Sequence, residues 1–335
     1  MHGFGRMAFA GACLVAAAGT AMAETYSIEG AGSASLTGIV PQTLAQYTAK
    51  NGIDLQVVLG QTLTKSALKT AAKQLDLAVV PPPAFAAMKK GVGPYAGQAE
   101  QAKKLSENVR SLFGFPGGTF HTIVWADAGI ESWEGIKGKR VYIGPPAGAA
   151  GAQIVNMIKV ASGYEEGKDY EGVKAPWGAA QQSFQDGQFD AYVAAAAVGQ
   201  QSLNELSLQR EIRILGIPKD IVESEAWTTY LEDYAVDTAD IPAGVYSGQA
   251  NGNEDLQTAV TTMMVATNTD LPEEAAYTIT KAYWDNLDEM KAGNALLRSI
   301  NASRPFAGVN APLHPGALRY YREAGIEVPE RLVAQ

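Results

Sequence analysis

The sequence predicts an α/β fold of two lobes, with the second lobe inserted into the chain of the first. Short apolar segments alternate with helical patterns along most of the 335 residues, which is typical of parallel strands under covering helices. Two extended regions, residues 109–126 and 234–266, interrupt this alternation, so the chain can cross between the lobes twice. Hydrophobic residues make up 47% of the chain, which is enough for a sizeable core.

Residues 1–23 are predicted to be a cleaved signal peptide that does not belong to the fold. Arg6 provides the positive start, and Met7–Ala18 is an apolar run that is too short and too rich in alanine to span a bilayer. Cys13, the one cysteine, lies inside this run with almost no apolar segment before it, which argues against a lipid anchor. We therefore expect an exported protein without disulfides that begins at Glu24.

Lobe I is predicted to comprise residues 24–116 and 240–335. Its predicted elements are, in order, strand Tyr26–Ile28, helix Leu36–Lys50, strand Leu55–Leu59, helix Thr62–Lys73 and strand Leu75–Val80, which Pro81–Pro83 ends. Near the C-terminus, Pro272 followed by two glutamates predicts the start of another helix.

Lobe II is predicted to comprise residues 117–239. Pro116–Gly118 separates two predicted strands, Val109–Phe115 and Thr119–Ala126, and this bend is either a crossing between lobes or a hairpin. The predicted elements that follow are strand 140–143, helix 149–161, helix 178–186, strand Phe189–Ala195, helix Gln200–Ser207 and strand Glu211–Leu215.

The stretch Gly129–Gly163 carries the most information about function. It contains an apolar strand at Val141–Ile143, a loop of glycine, proline and alanine, and then an amphipathic helix. Such a loop leaves N–H groups exposed at the helix start, where the helix dipole adds partial positive charge. Because the loop supplies donors but no nucleophile or base, it favours binding of a small anion or polar ligand over catalysis.

Charge and composition exclude several classes of function. The net charge is −9, and basic clusters with interleaved aromatic residues are absent, so we expect no nucleic-acid partner. After the leader, the chain has two histidines, His121 and His314, and no metal-binding or hydrolase motif. We therefore expect no enzymatic activity, no cofactor and no resident metal. A secreted hydrolase built around one of the two histidines is the alternative from another class.

The loop Gly30–Ser35 resembles the opening of a dinucleotide-binding turn, but a serine replaces the third glycine and no acidic residue follows the second strand. We interpret it as a strand-to-helix turn whose hydroxyls, on Ser33 and Ser35, face a crevice together with N–H groups. Plain capping of the helix by these hydroxyls is the alternative.

Polar residues also follow the second strand, where Gln61, Thr62 and Ser66 open the next helix. Ends of neighbouring parallel strands meet at one edge of a sheet, which is where ligands bind in open α/β sheets. The sequence therefore predicts a crevice into which both loops project.

Several segments resemble a known family. They are Asp127–Gly151, residues 75–80, residues 120–130, residues 184–196 and residues 241–248. Together they look like a TAXI-type substrate-binding protein of tripartite (TRAP) transporters, and the resemblance covers nearly all of the chain after the leader.

This resemblance implies a two-lobed periplasmic-binding-protein (Venus flytrap) fold with a hinge between the lobes, located in the periplasm. It also implies ligand contacts from both lobes. Lobe I would contribute Ser33, Ser35, Gln61, Thr62, Ser66 and Pro82. Lobe II would contribute His121, Ala147, Gly148, Ala149, Trp177, Gln181 and Ala195.

Three of the lobe II positions have further support or an alternative in the sequence. Trp177 opens a predicted helix that carries Gln181 in its first turns, a position suited to a crevice, although ordinary packing between lobes is the alternative. His121 lies on an apolar strand and is equally compatible with a buried core histidine.

Two departures from the family pattern affect the expected ligand. The loop at residues 145–150 lacks the hydroxyls that are common there, and Pro81–Pro83 stands where a polar residue is usual. Both changes remove side-chain donors and argue against a doubly charged ligand, whereas backbone N–H groups remain able to hold one carboxylate.

We therefore expect a monomeric receptor that captures a small organic acid or amino acid, such as a glutamate- or 2-oxoacid-like carboxylate. It would deliver this solute to the membrane subunits of an ion-gradient-driven TRAP permease. One alternative is a binding protein for an ATP-driven importer of oxyanions or aromatic precursors. Another is a sensor-coupled binding protein without a transport role.

Overall fold

The structure is a computed structural model that describes residues 23–146 and 149–334. Residues 1–22 of the predicted signal peptide lie outside the described residues, as do Ala147 and Gly148 of the predicted ligand loop. In the described part of the chain, no helix combines the length and the apolar character that crossing a bilayer requires.

The described residues form a mixed α/β structure. Its strands are β1 Glu24–Glu29, β2 Ile53–Val58, β3 Leu77–Val80, β4 Val109–Trp125, β5 Arg140–Tyr142, β6 Glu171–Val173, β7 Ala191–Ala196, β8 Ile212–Ile214, β9 Val236–Ile241 and β10 Leu256–Asn268. Its helices are α1 Leu36–Ala49, α2 Leu63–Ala71, α3 Pro82–Lys90, α4 Ala99–Ser106, α5 Ala150–Ser162, α6 Trp177–Gln185, α7 Gln201–Gln209, α8 Lys219–Val222, α9 Glu225–Tyr234, α10 Glu273–Asp285, α11 Leu287–Gly293 and α12 Pro315–Glu323.

The predicted alternation of strands and helices is confirmed, with several additions. Helix α3 begins within the triple proline, because a proline in the first turn loses no helical hydrogen bond and already has a helical φ. Strand β6 and the helices α8 and α9 were also not predicted from the sequence.

The strands form one sheet in the order β2-β1-β3-β10-β4-β7-β5-β6, with β8 paired to β4 and β9 paired to β10. Pairing is parallel between β1 and each of β2 and β3, and between β5 and each of β6 and β7. The two long strands β4 and β10 join these parallel parts through antiparallel pairing. The sheet is therefore two parallel units linked by a pair of shared strands.

Strand β4 is continuous through Pro116–Gly118, so the predicted pair of strands is one strand and the hairpin alternative is wrong. Its first part pairs with β10 up to Thr119, and its second part pairs with β7 from Thr119 to Ile123. The glycines here allow close approach of neighbouring strands. A Cβ on Gly118 would lie 2.9 Å from the backbone carbon of Ala195 in β7.

Three buried hydrophobic clusters divide the chain into two lobes. The first draws on residues 28–115 and 264–332, joined by Ala197, and forms the core of lobe I. The other two draw on residues 120–259 and form the core of lobe II. They lie on opposite faces of the lobe II sheet, since neighbouring residues such as Val193 and Ala194 belong to different clusters.

Five residues that follow position 240 pack in the lobe II clusters. They are Ile241, Val245, Tyr246, Leu256 and Ala259. We therefore propose that the second crossing between lobes lies along β10, near residue 260, and not at residue 240 as the sequence suggested.

Candidate functional site

A cavity of about 840 Å³ lies between the two lobes. Lobe I lines it with the loop after β1 and the starts of α1, α2 and α3, and lobe II lines it with β7 and parts of α5, α6 and α7. Gly117 and Gly118 of β4 and Thr261–Met263 of β10 line it where the shared strands pass between the lobes. A cavity of this size is within the range of small-molecule binding sites.

Six helices begin at this cavity, three from each lobe. The residues that line it at or next to the helix starts are Ser35–Thr37 of α1, Leu63 of α2, Pro81 and Pro83 of α3, Ala149 and Ala150 of α5, Trp177 and Gly178 of α6, and Gln200 and Ser202 of α7. The first N–H groups of a helix have no carbonyl partner within the helix, and the dipole gives this end partial positive charge. The cavity therefore lies at the positive ends of helices from both lobes.

These six helix starts lack the two features that usually neutralise such an end. No side chain caps any of them, and none has an acidic residue in its first turn. Elsewhere in the described residues, α4, α8, α9, α10 and α11 have an acidic residue in the first turn, and His314 caps α12. Among the twelve α-helices of the described part of the chain, the positive ends are thus left open only where they meet the cavity.

The cavity contains no formal charge. Among the described residues, its lining includes no Asp, Glu, Lys, Arg or His. Ala147 and Gly148, which precede the lining residue Ala149 in the sequence and lie outside the described residues, are uncharged by identity. Its polar side chains are amides and hydroxyls, and five glutamines take part: Gln153, Gln181, Gln182, Gln185 and Gln200. An ionic ligand would therefore be held by dipoles and not by an ion pair.

The hydroxyl groups of Ser35 and Thr37 at the start of α1 already donate hydrogen bonds within this segment. Ser35 Oγ donates to the carbonyl oxygen of Gly32 at 2.7 Å. Because serine has one hydroxyl proton, the 2.7 Å contact between Ser35 Oγ and Thr37 Oγ1 has the threonine as donor. Both hydroxyl protons are used, so the donors that α1 offers to the cavity are its first backbone N–H groups.

Aromatic side chains form another part of the lining. Trp177, the first residue of α6, keeps 38% of its surface exposed and contacts Tyr142 edge-on, with ring centroids 5.6 Å apart. Tyr192 of β7 is 5% exposed, and its burial raises the pKa of its hydroxyl to about 12. Within residues 23–146 and 149–334, the hydroxyl of Tyr192 has no hydrogen-bond partner.

Five of the predicted ligand residues line the cavity, and they come from both lobes. They are Ser35, Ala149, Trp177, Gln181 and Ala195. Their role in binding remains a prediction.

Ser33, Gln61 and Thr62 lie next to the lining residues Gly32 and Leu63 but do not themselves line the cavity. Gln61 uses its side-chain amide locally, because Nε2 donates to the carbonyl oxygen of Leu59 at 3.1 Å. We therefore propose that the loops after β1 and β2 contact a solute through their backbone and not through these side chains.

Ser66 and Pro82 are buried and are not among the residues that line the cavity, although Pro81 and Pro83 on either side of Pro82 do line it, so their contact with the ligand stays a prediction. Ser66 Oγ donates to a carboxylate oxygen of Glu29 at 2.6 Å, and Lys69 Nζ pairs with the other oxygen at 2.7 Å. The carbonyl oxygen of Pro82 accepts a hydrogen bond from Asn310 at 2.8 Å. Both residues connect elements of lobe I.

His121 is fully buried, and its position corrects the predicted ligand contact. Its Nδ1 lies 2.9 Å from the carbonyl oxygen of Thr119 and therefore bears the proton. Its Nε2 then accepts from the hydroxyl of Tyr246 at 2.8 Å, and Tyr246 in turn accepts from the N–H of Gly199 at 3.1 Å. Burial lowers the pKa of His121 to about 4, only partly opposed by the Thr119 carbonyl, so the ring is neutral.

His121 thus links the shared strand β4 to the loop that leads into α7. This loop includes Ala197 and Gln200, which line the cavity. The histidine itself does not line the cavity, and it contacts the site only through Tyr246, which holds the loop at Gly199.

Several lining residues were not predicted from the sequence. Gln200 and Ser202 follow β7 and open α7, so the same strand-to-helix pattern could have identified them. Gln153, Gln182, Gln185 and Tyr192 share elements with predicted site residues, but the sequence does not show which of their faces meets the cavity.

The chain matches a family model over residues 36–325, and the description of that model is "NMT1-like family". The protein belongs to the NMT1-like family.

Solved structures show the same architecture. A putative sulfonate ABC transporter periplasmic sulfonate-binding protein, SsuA from Methylobacillus flagellatus KT, is 13% identical, with a TM-score of 0.50 over 90% of this chain and 86% of that chain. The aliphatic sulphonate binding protein SsuA from Escherichia coli is 11% identical, with a TM-score of 0.49 over 93% and 92% of the two chains.

A TRAP periplasmic solute binding protein from Xanthobacter autotrophicus Py2, with bound β-D-galacturonate, is 13% identical, with a TM-score of 0.44 over 91% of this chain and 88% of that chain. At such identities these likenesses concern the fold alone. The predicted fold class, a two-lobed periplasmic-binding-protein fold, is confirmed.

Proposed function

We propose that this protein is a periplasmic receptor that captures a small solute between its lobes and presents it to a membrane transporter. The observation that carries the proposal is the cavity itself, because uncapped helix starts from both lobes meet there. Membership of the NMT1-like family and the fold support it.

Closure of the lobes follows from contacts with both of them. A solute that touches lobe I and lobe II at once binds the closed arrangement better than the open one, and its differential affinity shifts the equilibrium. The lobes are joined by the two strands β4 and β10, so bending there would change the width of the cavity. No chemical step is required.

We infer binding without turnover. His314 is buried and its Nδ1 caps α12 at 3.2 Å from the N–H of Gly316, while His121 is committed to Thr119 and Tyr246. Neither histidine is placed to act on a molecule in the cavity. A panel of ester, amide and glycoside substrates checks this, and turnover that disappears in His121→Gln or His314→Asn would favour the hydrolase.

We further propose that the transporter is a TRAP permease and that the receptor is of the TAXI type. The support is the resemblance carried by Asp127–Gly151 and the four other segments quoted above. Uptake by the membrane subunits encoded beside this gene tests it. The proposal requires transport that stops when the ion gradient is collapsed and continues without ATP. The opposite dependence would favour the ATP-driven importer.

The export of the protein is testable separately. We expect the mature chain in the periplasmic fraction, as a monomer that begins at Glu24. N-terminal sequencing together with light scattering of that fraction measures both properties. A chain that retains residues 1–23 in the cytoplasm would contradict the proposed location.

The binding site is tested with a double variant and a matched control. A thermal-shift screen against organic acids first identifies solutes that raise the melting temperature. Trp177→Ala combined with Gln181→Ala removes two side chains of the lining, whereas Gln101→Ala changes an exposed glutamine on α4. The proposal predicts weaker solute binding for the double variant only. If the solute raises the melting temperatures of the wild type, the double variant and Gln101→Ala equally, it binds outside this cavity.

A further inference from the structure

The absence of charged side chains in the cavity lining restricts the charge of the solute. Moving an ion from water into a protein interior costs several kcal/mol unless a partner compensates it. The described lining offers no Arg or Lys, and Ala147 and Gly148 cannot supply one. Each further negative charge on a solute would therefore remain without an opposite charge.

One negative charge, however, is well accommodated. Five of the six open helix starts present free N–H groups as well as partial positive charge, and no acidic first-turn residue offsets them. The sixth, α3, begins with Pro82 and Pro83, which have no N–H group, so it contributes its dipole alone. Because the hydroxyl protons of Ser35 and Thr37 are already donated, α1 offers its first backbone N–H groups to the cavity, and α6 begins with Trp177 and Gly178 at the cavity wall.

Tyr192 provides an independent sign of a ligand group. Its side chain is 5% exposed and lines the cavity, and its hydroxyl has no protein partner among residues 23–146 and 149–334. Since burial raises the pKa of Tyr192 to about 12, this group stays protonated and is able to donate to an oxyanion.

A solute ammonium group meets no carboxylate in the described lining. Ammonium groups are stabilised by carboxylates, and the described lining contains neither Asp nor Glu. Glu29, the buried carboxylate at the end of β1, is already paired with Lys69 and Ser66. An amino acid would thus bury its positive group against dipoles of the wrong sign.

We propose that the cavity selects a solute with a single negative charge, borne by an oxyanion headgroup, with an uncharged body and no ammonium group. This inference rests on the proposed receptor function. It narrows the expected glutamate-like ligand to a monoanion such as a monocarboxylate or a monosulfonate. Trp177 and Phe120, which line the cavity, suit an apolar body.

The first experiment compares five-carbon solutes that differ by one group. Calorimetry and thermal shifts are measured on the full processed chain with pentanoate, 2-oxopentanoate, 2-oxoglutarate, norvaline, glutamate and pentanesulfonate. Solute released from the purified protein is identified by mass spectrometry. The proposal predicts a monoanion in the released fraction, and dicarboxylate or amino-acid analogues that bind at least about 100-fold more weakly than their monoanionic counterparts.

The outcomes separate the inference from the receptor function. Glutamate or 2-oxoglutarate binding as tightly as 2-oxopentanoate would overturn the single-charge inference and leave the receptor standing, as would a protein that binds only uncharged solutes. A protein that releases no solute and responds to none in a broad screen would overturn both. The affinities for pentanoate and pentanesulfonate show whether the cavity prefers a carboxylate or a sulfonate headgroup.

A second experiment places a charge in the cavity with a side chain of nearly the same size, a change that also removes the hydrogen bond from Gln181 Nε2 to the carbonyl oxygen of Ser202 at 3.3 Å. Gln181→Glu replaces an amide of the lining by a carboxylate, and Gln101→Glu makes the same change on the exposed face of α4. We expect at least about a tenfold loss of affinity for the released monoanion in Gln181→Glu alone. Unchanged affinity, with an unchanged melting temperature of the free protein, would contradict a headgroup held by the cavity dipoles.

A third variant tests the hydroxyl of Tyr192. Tyr192→Phe keeps the ring and removes the donor, so affinity for the monoanion should fall about fivefold to tenfold while affinity for an uncharged analogue of the same body changes little. An equal loss for both solutes would mean that the hydroxyl acts through packing and not on the headgroup.

Discussion

Helix starts at the cavity and helix starts elsewhere in this protein differ in how their positive ends are compensated. Away from the cavity, Glu225 lies in the first turn of α9, the hydroxyl of Ser224 accepts from the N–H of Trp227 at 3.2 Å, and Glu273 and Glu274 begin α10. At the cavity, α1, α2, α3, α5, α6 and α7 have neither device. The remote starts therefore stabilise the free protein, and the cavity starts leave their compensation to a bound solute.

This contrast shows how an acidic protein would bind the proposed anion without a basic residue among the described residues of its cavity lining. The chain has a net charge of −9, yet none of its acidic residues is found among the described residues of the cavity lining. Local dipoles at short range decide the sign of the potential in the cavity, because salt screens the exposed charges beyond about 8 Å at physiological ionic strength.

The largest expected effect is a pH dependence of stability that leaves binding unchanged. Burial lowers the pKa of His121 to about 4 and also lowers the pKa of His314, which caps α12 in its neutral form. The unfolded chain binds these protons near pH 6.5 and the folded chain only at lower pH, so stability falls as pH falls through this window. For His121 the loss between pH 6.5 and pH 4 is about 3 kcal/mol.

Denaturant titrations of the wild type and His121→Gln from pH 7 to pH 4.5 measure this effect. The variant should lose less stability on acidification than the wild type. Affinity for a solute of constant charge should stay level over the same range, since the described lining has no group that titrates there. A parallel loss of affinity above the unfolding range would place a titrating group in the site.

The next effect comes from giving a cavity helix the acidic residue that it lacks. Ser202→Asp places a carboxylate in the first turn of α7, at the cavity wall. We expect about a 100-fold loss of affinity for an anionic solute, while the free protein keeps its stability or gains up to about 0.5 kcal/mol. Calorimetry and thermal unfolding of the free protein measure the two quantities. If the free protein of the variant loses stability as well as affinity for the solute, the substitution disturbs packing and does not act through its charge.

Removal of a helix cap far from the cavity should lower the stability of the free protein and leave its affinity for solute unchanged. Ser224→Ala deletes the hydroxyl that accepts from the N–H of Trp227 at the start of α9. The free energy of unfolding should decrease by about 1 kcal/mol, with the affinity for solute unchanged. Chemical denaturation and calorimetry on the same sample check this. A change in affinity would show that α9 is coupled to the cavity.

The smallest effect is expected from Glu225→Gln, which removes the first-turn charge of α9 and keeps the shape of the side chain. Exposed charges at helix starts contribute roughly 0.3–1 kcal/mol, so the melting temperature should fall slightly at low salt and less at high salt. A salt-independent change would assign the effect to something other than the dipole.

Much of the fold follows from the sequence, because each strand and helix of the α/β units has its own periodic pattern. The continuity of β4 does not follow, since Pro116–Gly118 has the composition of a turn. In the structure these glycines permit contact instead: the N–H of Gly118 donates to Thr261 Oγ1 of β10 at 2.8 Å. That partner lies 143 residues away along the chain, so local patterns contain no sign of it.

The sequence predicted which loops and helix starts line the cavity, but it did not predict the direction in which their side chains point. Ser35, Ala149 and Trp177 were found because strand ends that open helices meet at one edge of a sheet. Ser66 and His121 lie in equally suitable segments, but their side chains turn to Glu29 and Tyr246, two contacts that span 37 and 125 residues. Sequence patterns locate a loop but not the partner that occupies its side chain.

The most direct test of the account is a crystal structure of the protein with the solute that it releases on denaturation. The account predicts the solute in the cavity between the lobes, with oxyanion oxygens about 3 Å from first-turn N–H groups of cavity helices of both lobes. A headgroup paired with a lysine or arginine, or a solute bound outside this cavity, would contradict it.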